Sequence, residues 1–282
     1  MHSINKHIID YRFSGQSHKN KKKPKIQAFI FSWPNWSIQA ELLEETLVNT
    51  NFFDKVFVIN SDPHFRKDNW INLGEQDYFS SQFEAALTLF NGDIFFHIQA
   101  DVTIPKYINL IEFLNSAIEN FYELNFSVYA PDIDYTAWDN ESAIIKDSVI
   151  KFLGYPEKIK PVVNTDCSCW FINSVTLEEF KDKYLDNLVK NSRFGWGVSG
   201  AMCAIGWKNK MPAIRNLNYQ LIHPKNTNYD VQKAILGYKI FCSETQDSFV
   251  KKFILNSIFR NLQGISCLIY KNFKNQDVES CG

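Results

Sequence analysis

The sequence predicts an α/β fold in which a parallel sheet is wound with helices on both faces. Two observations carry this. Short apolar runs rich in β-branched and aromatic residues recur at 26–31, 55–60 and 94–98, as expected of strands buried on both faces. Segments with helical spacing, Ser37 to Thr50 and Ser80 to Phe90, alternate with them, and such alternation argues for parallel strands.

Ile26-Gln27-Ala28-Phe29-Ile30-Phe31 is the first strand and runs into a Pro-containing loop, Ser32-Trp33-Pro34-Asn35-Trp36. The next helix carries Ile38, Leu42, Leu43 and Leu47 on one face. Lys55 to Asn60 is the second strand, ended by Ser61-Asp62-Pro63, and Trp70 to Leu73 a short third. The helix Ser80 to Phe90 turns Phe83, Ala86, Leu87 and Phe90 inward. After the turn pair Asn91-Gly92, Ile94-Phe95-Phe96-His97-Ile98 forms the central strand and stops abruptly at Gln99-Ala100-Asp101. A carboxylate at the C-terminal end of a central strand stands where open α/β sheets hold ligands. Asp also caps helices, but Pro105 is the better first helical residue, so Asp101 reads as functional. His97, inside the apolar run, reads as a core histidine.

A helix is expected from Pro105 to about Tyr122, then a strand, Phe126 to Ala130, ending in Pro131-Asp132-Ile133-Asp134. Residues 136–161 read as irregular and polar. Asp166 to Ile172 reads as a strand, and Ser174 as the N-cap of a helix reaching Leu188. Three glycines flank Trp196 in Gly195-Trp196-Gly197-Val198-Ser199-Gly200, a loop where the backbone approaches something closely. Arg215 to Ile222 is the last strand and delivers His223-Pro224-Lys225. Helices follow from about residue 231. The expected domains are a tether at 1–24, a main domain at 25–232 and a helical extension at 233–282. The extension contains Lys251-Lys252 and Phe253-Ile254-Leu255, which leaves core packing, homo-oligomer formation and peripheral membrane contact open.

The 282 residues, 45% hydrophobic and 22% charged, suit an ordinary globular protein with an aromatic core drawn from 24 Phe and 7 Trp. A net charge of -1 gives no reason to expect nucleic acid. Six cysteines without a Cys-x-x-Cys pair argue against zinc, and neither a signal peptide nor a transmembrane run is evident. A reducing, cytoplasmic setting is expected.

Four features resemble a known family when taken in order. They are the first strand with its Ser32-Trp33-Pro34-Asn35 loop; Val58-Ile59-Asn60-Ser61-Asp62; the helix and strand that lead into Gln99-Ala100-Asp101; and Gly195-Trp196-Gly197 followed later by His223-Pro224. The order resembles nucleotide-sugar glycosyltransferases of the GT-A fold, nearest to the large family 2 group, over residues 26–230. The resemblance implies a Rossmann-like mixed sheet flanked by helices. Two positions depart from it. Gln99 stands where the family's Asp-x-Asp motif begins, and Ser199 lies where an acid that serves as base is usual. Serine cannot act as that base without an activating partner.

The resemblance also implies a chemistry. A sugar nucleotide leaves as a charged diphosphate, which Mn²⁺ or Mg²⁺ can neutralise with few protein ligands. Asp101 offers an oxygen and His223 a nitrogen, a pairing better suited to Mn²⁺. The acceptor hydroxyl must lose a proton, so inversion wants a carboxylate base. Asp166 ranks first for this, then Asp134, with Asp132 also in view. Trp33, Asp62, Gln99, Trp196 and Ser199 are the expected substrate-binding positions. Lys225 or Arg215 offers a cation for phosphate. The function implied is metal-assisted transfer from a nucleoside-diphosphate sugar to a glycan or lipid-linked acceptor, with inversion, as in polysaccharide biosynthesis. A catalytically silent sugar-nucleotide-binding protein and a nucleotidyltransferase of related fold are the alternatives.

Overall fold

The computed structural model describes residues 9–12, 22–74, 78–133, 150–224, 229–259 and 261–274. In chain order the elements begin β1 (Ile9–Arg12), β2 (Ile26–Ser32), α1 (Ser37–Asn49), β3 (Lys55–Asn60), β4 (Ile71–Asn72), α2 (Phe79–Leu89), β5 (Ile94–Gln99) and α3 (Leu110–Leu124). They continue with β6 (Val128–Ile133), β7 (Ile150–Leu153), β8 (Ile159–Pro161), β9 (Cys169–Asn173), α4 (Ser174–Lys183), α5 (Leu185–Asn191) and α6 (Val198–Lys208). β10 (Ala213–Leu221), α7 (Val231–Glu244), α8 (Ser248–Ile258) and α9 (Leu262–Phe273) complete them.

Among the described residues, eight strands form one sheet in the order β4-β3-β2-β5-β9-β6-β10-β8. The first four run parallel, as the strand–helix alternation predicts. β9 then enters antiparallel between β5 and β6, while β10 is parallel to β6 and antiparallel to β8. Side chains alternate across each strand, so β2 sends Phe29 and Phe31 to one core and Ala28 and Ile30 to the other. The first core lies under α2, α4, α5 and α6; the second lies under α1 and α3. Phe29 stacks on Phe57 at 5.1 Å and on Phe95 at 4.5 Å. A fully buried Phe contributes about 1.5–3 kcal/mol, so these rings dominate the first core. Trp170 and His97 are fully buried there, His97 as expected. Burial drives the His97 imidazole down to about 3 and keeps it neutral, although Phe29 carbonyl bonding opposes this.

Several local expectations need correction. The helix after Asp101 starts at Leu110, not Pro105, because Asn109 accepts from the Ile111 and Glu112 amides and caps it. Asn173, not Ser174, caps α4 through the Val175 amide, and the helix expected to reach Leu188 breaks at Tyr184. The strand expected from Asp166 begins only at Cys169; the Asp166 carboxylate takes the Ser168 amide at 2.8 Å and folds 166–168 into a turn. The stretch 136–161 contains β7 and β8, strands too short for a period-2 pattern to register. Within the segment read as a tether, β1 pairs parallel with β7. Cys167, Cys169, Cys203 and Cys242 carry free thiols. Among the described residues no helix is long and apolar enough to cross a membrane.

α8 and α9 bury Val250, Phe253, Ile254, Ile265 and Leu268 completely in the first core. A polar clasp at the edge joins them to the rest. Lys208, at the end of α6, donates to Glu179 of α4 at 2.9 Å and to Asp247, the N-cap of α8, at 2.6 Å. Asn209 and Lys183 also donate to Glu179. Burial would raise the Glu179 carboxyl, but these donors outweigh it and hold the group at about 2, below its usual 4.5. Its stabilisation is therefore complete above about 4.5 and is lost as pH falls toward 2. Glu179→Gln is expected to lower Tm at pH 7 by roughly 2–4 °C, with the gap to wild type narrowing as pH falls below 4.5. Melting curves at stepped pH check this; a gap that does not change with pH would show that the clasp does not act through charge.

Candidate functional site

The topology brings distant residues to one edge of the sheet. β5 ends at Gln99, so Asp101 lies just beyond its C-terminal end. β9 runs antiparallel and pairs Cys169 with Ile98, so the turn before it, with Asp166 and Ser168, arrives at the same edge. β10 runs parallel to β6 and also ends there. An isolated bridge between Thr103 and Ile222, with N–H to carbonyl distances of 2.8 and 3.0 Å, ties the chain after Asp101 to the chain before His223. The segment 99–101 is fixed from both sides: the Gln99 amide donates to Ser168 at 2.8 Å and the Ala100 amide to Phe31 at 2.9 Å.

His223 Nε2 stands 3.5 Å from Asp101 Oδ2. Its Nδ1 lies 2.8 Å from the Pro224 carbonyl; a proton on Nδ1 satisfies that contact and turns the Nε2 lone pair toward Asp101. Asp101 Oδ1 is buried, and no hydrogen-bond donor from another described residue reaches it. Burial raises the Asp101 carboxyl from 3.8 to about 6, with His223 opposing the rise and Asp166 adding to it. A buried carboxylate oxygen that no donor from another described residue reaches is costly, and a cation at this point would satisfy it. A divalent ion therefore fits these residues: one oxygen and one imidazole nitrogen converge. Among the described residues no cluster of three or more His, Cys, Asp or Glu is placed to hold a metal; substrate and water oxygens are suited to fill the remaining coordination positions.

Asp166 sits beside this pair, close enough to act electrostatically on Asp101, Cys167, Arg215 and Tyr229. Ser168 anchors it through both its amide and its hydroxyl. Arg215 is buried in β10, 3.9 Å from Asp132 Oδ1. Burial lowers its guanidinium while Asp132 and Asp166 oppose that shift. Asp132 also accepts from Gln220 at 3.3 Å.

The remaining expected positions divide. Trp196 is half-buried and donates from Nε1 to the Tyr229 hydroxyl at 2.9 Å. Ser199 lies in the first turn of α6, 8% exposed. Trp33, in the loop after β2, packs partly on the first core. Asp62 is mostly buried; its oxygens accept from the Ser37 hydroxyl at 2.8 Å and the His64 amide at 2.9 Å. It shapes its loop, and the resemblance alone gave no sign of this. Asp134 and Lys225 lie outside the described residues.

Tyr229 escaped the sequence reading, although its ring stacks on Phe194 at 4.9 Å and fixes Trp196. Nothing local marks it, because both partners lie in another loop. The hydroxyls of Ser32 and Ser61, at the ends of β2 and β3, are likewise buried without a hydrogen-bond partner. Strand-terminal serines were their only signal.

Solved structures with this architecture include GalNAc-T7 with UDP, GalNAc and Mn²⁺, at TM-score 0.56 and 9% identity over 93% of this chain and 56% of that one. The mannosyltransferase PcManGT from Pyrobaculum calidifontis, in complex with GDP-Man and Mn²⁺, matches at TM-score 0.53 and 11% identity over 90% of this chain and 74% of that one. The protein has the GT-A fold. It spans little more than half the length of the GalNAc-T7 chain. Neither a protein-family model nor a curated protein matches the sequence. Within the GT-A fold of this chain, Asp101, His223 and Asp166 occupy the edge at which β2, β3 and β5 end.

Proposed function

We propose that the protein transfers a sugar from a nucleoside-diphosphate sugar to a glycan or lipid-linked saccharide, with inversion at the transferred carbon. The observation that carries this reading is the convergence of Asp101 and His223, with Asp101 Oδ1 buried and reached by no donor from another described residue, at the C-terminal edge of a GT-A sheet. In this reading those two residues hold Mn²⁺ or Mg²⁺. When bound, the ion neutralises charge growing on the departing diphosphate. Asp166, oriented by Ser168, takes the proton from the acceptor hydroxyl. Trp33 and Trp196 offer flat faces for the base and the sugar, Gln99 and Ser199 offer polar contacts, and Asp62 shapes the loop that receives the nucleotide.

Thermal melts with UDP- and GDP-sugars, with and without Mn²⁺, test the binding half. Nucleotide and Mn²⁺ together are expected to raise Tm by roughly 5–10 °C at a hundredfold excess over Kd, and by more than the sum of each alone. No shift with any nucleotide would overturn the reading. Binding without release of the nucleoside diphosphate, across a panel of acceptors, would favour a silent sugar-nucleotide-binding protein.

A further inference from the structure

α6 begins at a loop that the rest of the chain holds tightly. Its N-cap, Gly197, has φ 102°, a left-handed conformation that favours glycine. A Cβ there would stand 2.8 Å from Phe241 and Tyr238 of α7, so the loop is pressed against that helix. The Val198 amide donates to the Gly195 carbonyl at 3.1 Å and the Ala201 amide to the Gly197 carbonyl at 2.9 Å. Between them, the amides of Ser199 and Gly200 reach no acceptor on another described residue, although both residues are buried. Amides left over in a first turn carry the positive end of the helix dipole. No side chain caps this turn and no acidic residue stands in it.

Unpaired amides alone would select nothing, because water serves them at most helix starts. Two hydroxyls on buried residues join them here. Ser199 is 8% exposed and its hydroxyl engages no described residue. The Cα–Cβ bond of a helical residue tilts toward the N-terminus, so that hydroxyl leans into the mouth of the turn. Tyr238 is 5% exposed; its hydroxyl also engages no described residue and stands 3.6 Å from where a Gly200 Cβ would lie. Burial pushes the Tyr238 phenol well above its usual range, so it stays neutral and able to donate. Two contacts link the turn to the proposed base: Trp196 Nε1 donates to the Tyr229 hydroxyl at 2.9 Å, and the Asp166 charge acts on that hydroxyl. Asp166 in turn faces the buried Arg215, whose charge offsets its own.

This arrangement selects a chemistry. Buried donors that no acceptor reaches cost free energy, and an oxygen-rich anion satisfies several of them at once while meeting the dipole. A neutral hydroxyl gains nothing from the dipole. We propose that the first turn of α6 is an oxyanion site that takes the phosphate or carboxylate of an acidic acceptor. The family resemblance puts an acid at the position of Ser199; here the ligand brings the negative charge instead. That an acceptor is the ligand rests on the glycosyl-transfer reading, whereas the affinity for an anion does not.

The test is amide NMR on the isotope-labelled full chain without Mn²⁺, titrated separately with inorganic phosphate, glucose 6-phosphate, glucuronate, glucose and UDP. Phosphate and at least one acidic sugar are expected to move the Ser199 and Gly200 amide signals, and glucose to leave them in place. The acidic sugar that binds more tightly tells whether phosphate or carboxylate is the group taken. Ser199→Asp fixes a carboxylate in the turn and should weaken anion binding at least about tenfold by repulsion. Should that variant fail to fold, Ser199→Ala removes one donor and should weaken binding by roughly threefold to tenfold. Unmoved signals with every anion, equal affinity in the folded variants, or glucose binding as well as the acidic sugars would each overturn the proposal. Phosphate binding without either acidic sugar would mark an adventitious ion only and overturn it too. So would UDP moving the same two amides, which would give the turn to the donor. Anion binding in a chain that binds no nucleotide sugar would overturn the glycosyl-transfer reading and leave the oxyanion site standing.

Discussion

Asp101→Ala is expected to reduce transfer by at least about a hundredfold, the loss that corresponds to about 3 kcal/mol of transition-state stabilisation. The same change should abolish the dependence of donor binding on Mn²⁺. The structural cost should run the other way. Asp101 is a carboxylate raised to about 6 by burial, so in the metal-free protein its charge opposes folding as pH rises from about 4 to 6. Removing it should leave Tm at pH 7 unchanged or higher. A variant that is as stable as wild type and inactive is therefore the signature of a ligand, whereas an inactive variant that melts early is that of a misfolded edge. His223→Ala should weaken Mn²⁺ binding while leaving nucleotide binding without metal intact. Isothermal titration with Mn²⁺ alone, then with UDP alone, separates these outcomes. Donor affinity in Mn²⁺ that is unchanged in Asp101→Ala would remove the carboxylate from the site.

The parallel half of the sheet was legible because its strands are buried on both faces and so read as unbroken apolar runs between amphipathic helices. The same burial made Asp101 conspicuous, since a charge three residues after the run Phe95-Phe96-His97-Ile98 needs a reason. What the sequence could not display was pairing between distant segments. β9 enters antiparallel between β5 and β6, and only that places Asp166 beside Asp101. The Thr103–Ile222 bridge sets His223 against Asp101, and neither residue carries a local signal of it. Asp62 shows a second limit: its position after a strand resembled a ligand contact, and nothing local showed that Ser37 and His64 also engage it to shape the loop. Helix starts were misplaced for a related reason. Asn109 starts its helix four residues after Pro105, which had read as the first helical residue, and Asn173 replaces Ser174 as cap, outcomes decided by where tertiary packing allows the first turn to begin.

Gly206→Ala is expected to destabilise the fold by about 3 kcal/mol and to lower Tm by roughly 6–10 °C. Gly206 lies in α6 where the helix meets the entry to β6. A Cβ there would stand 1.9 Å from Ser127 Oγ, 2.2 Å from Ser127 Cβ and 2.9 Å from the Met211 carbonyl. The neighbours cannot yield easily. Ser127 is fully buried, its amide bonded to the Pro212 carbonyl and its carbonyl to the Asn173 amide, and the Met211 amide bonds back to Gly206. The helix must therefore lift from the sheet. α6 is buried along almost its whole length, from Val198 to Trp207, so lifting one end opens the first core. The other end carries Ser199 and follows the Trp196 loop, so the movement should also reach the Asp101 edge. Donor binding, measured well below the lowered Tm, should weaken although no residue of the edge has changed. Ser127→Gly in the same chain removes two of the three clashes and should recover part of the stability and of the binding together. Recovery of stability without binding would separate the helix from the site. An unchanged Tm in Gly206→Ala alone would mean that α6 rides farther from the sheet than the 1.9 Å approach requires.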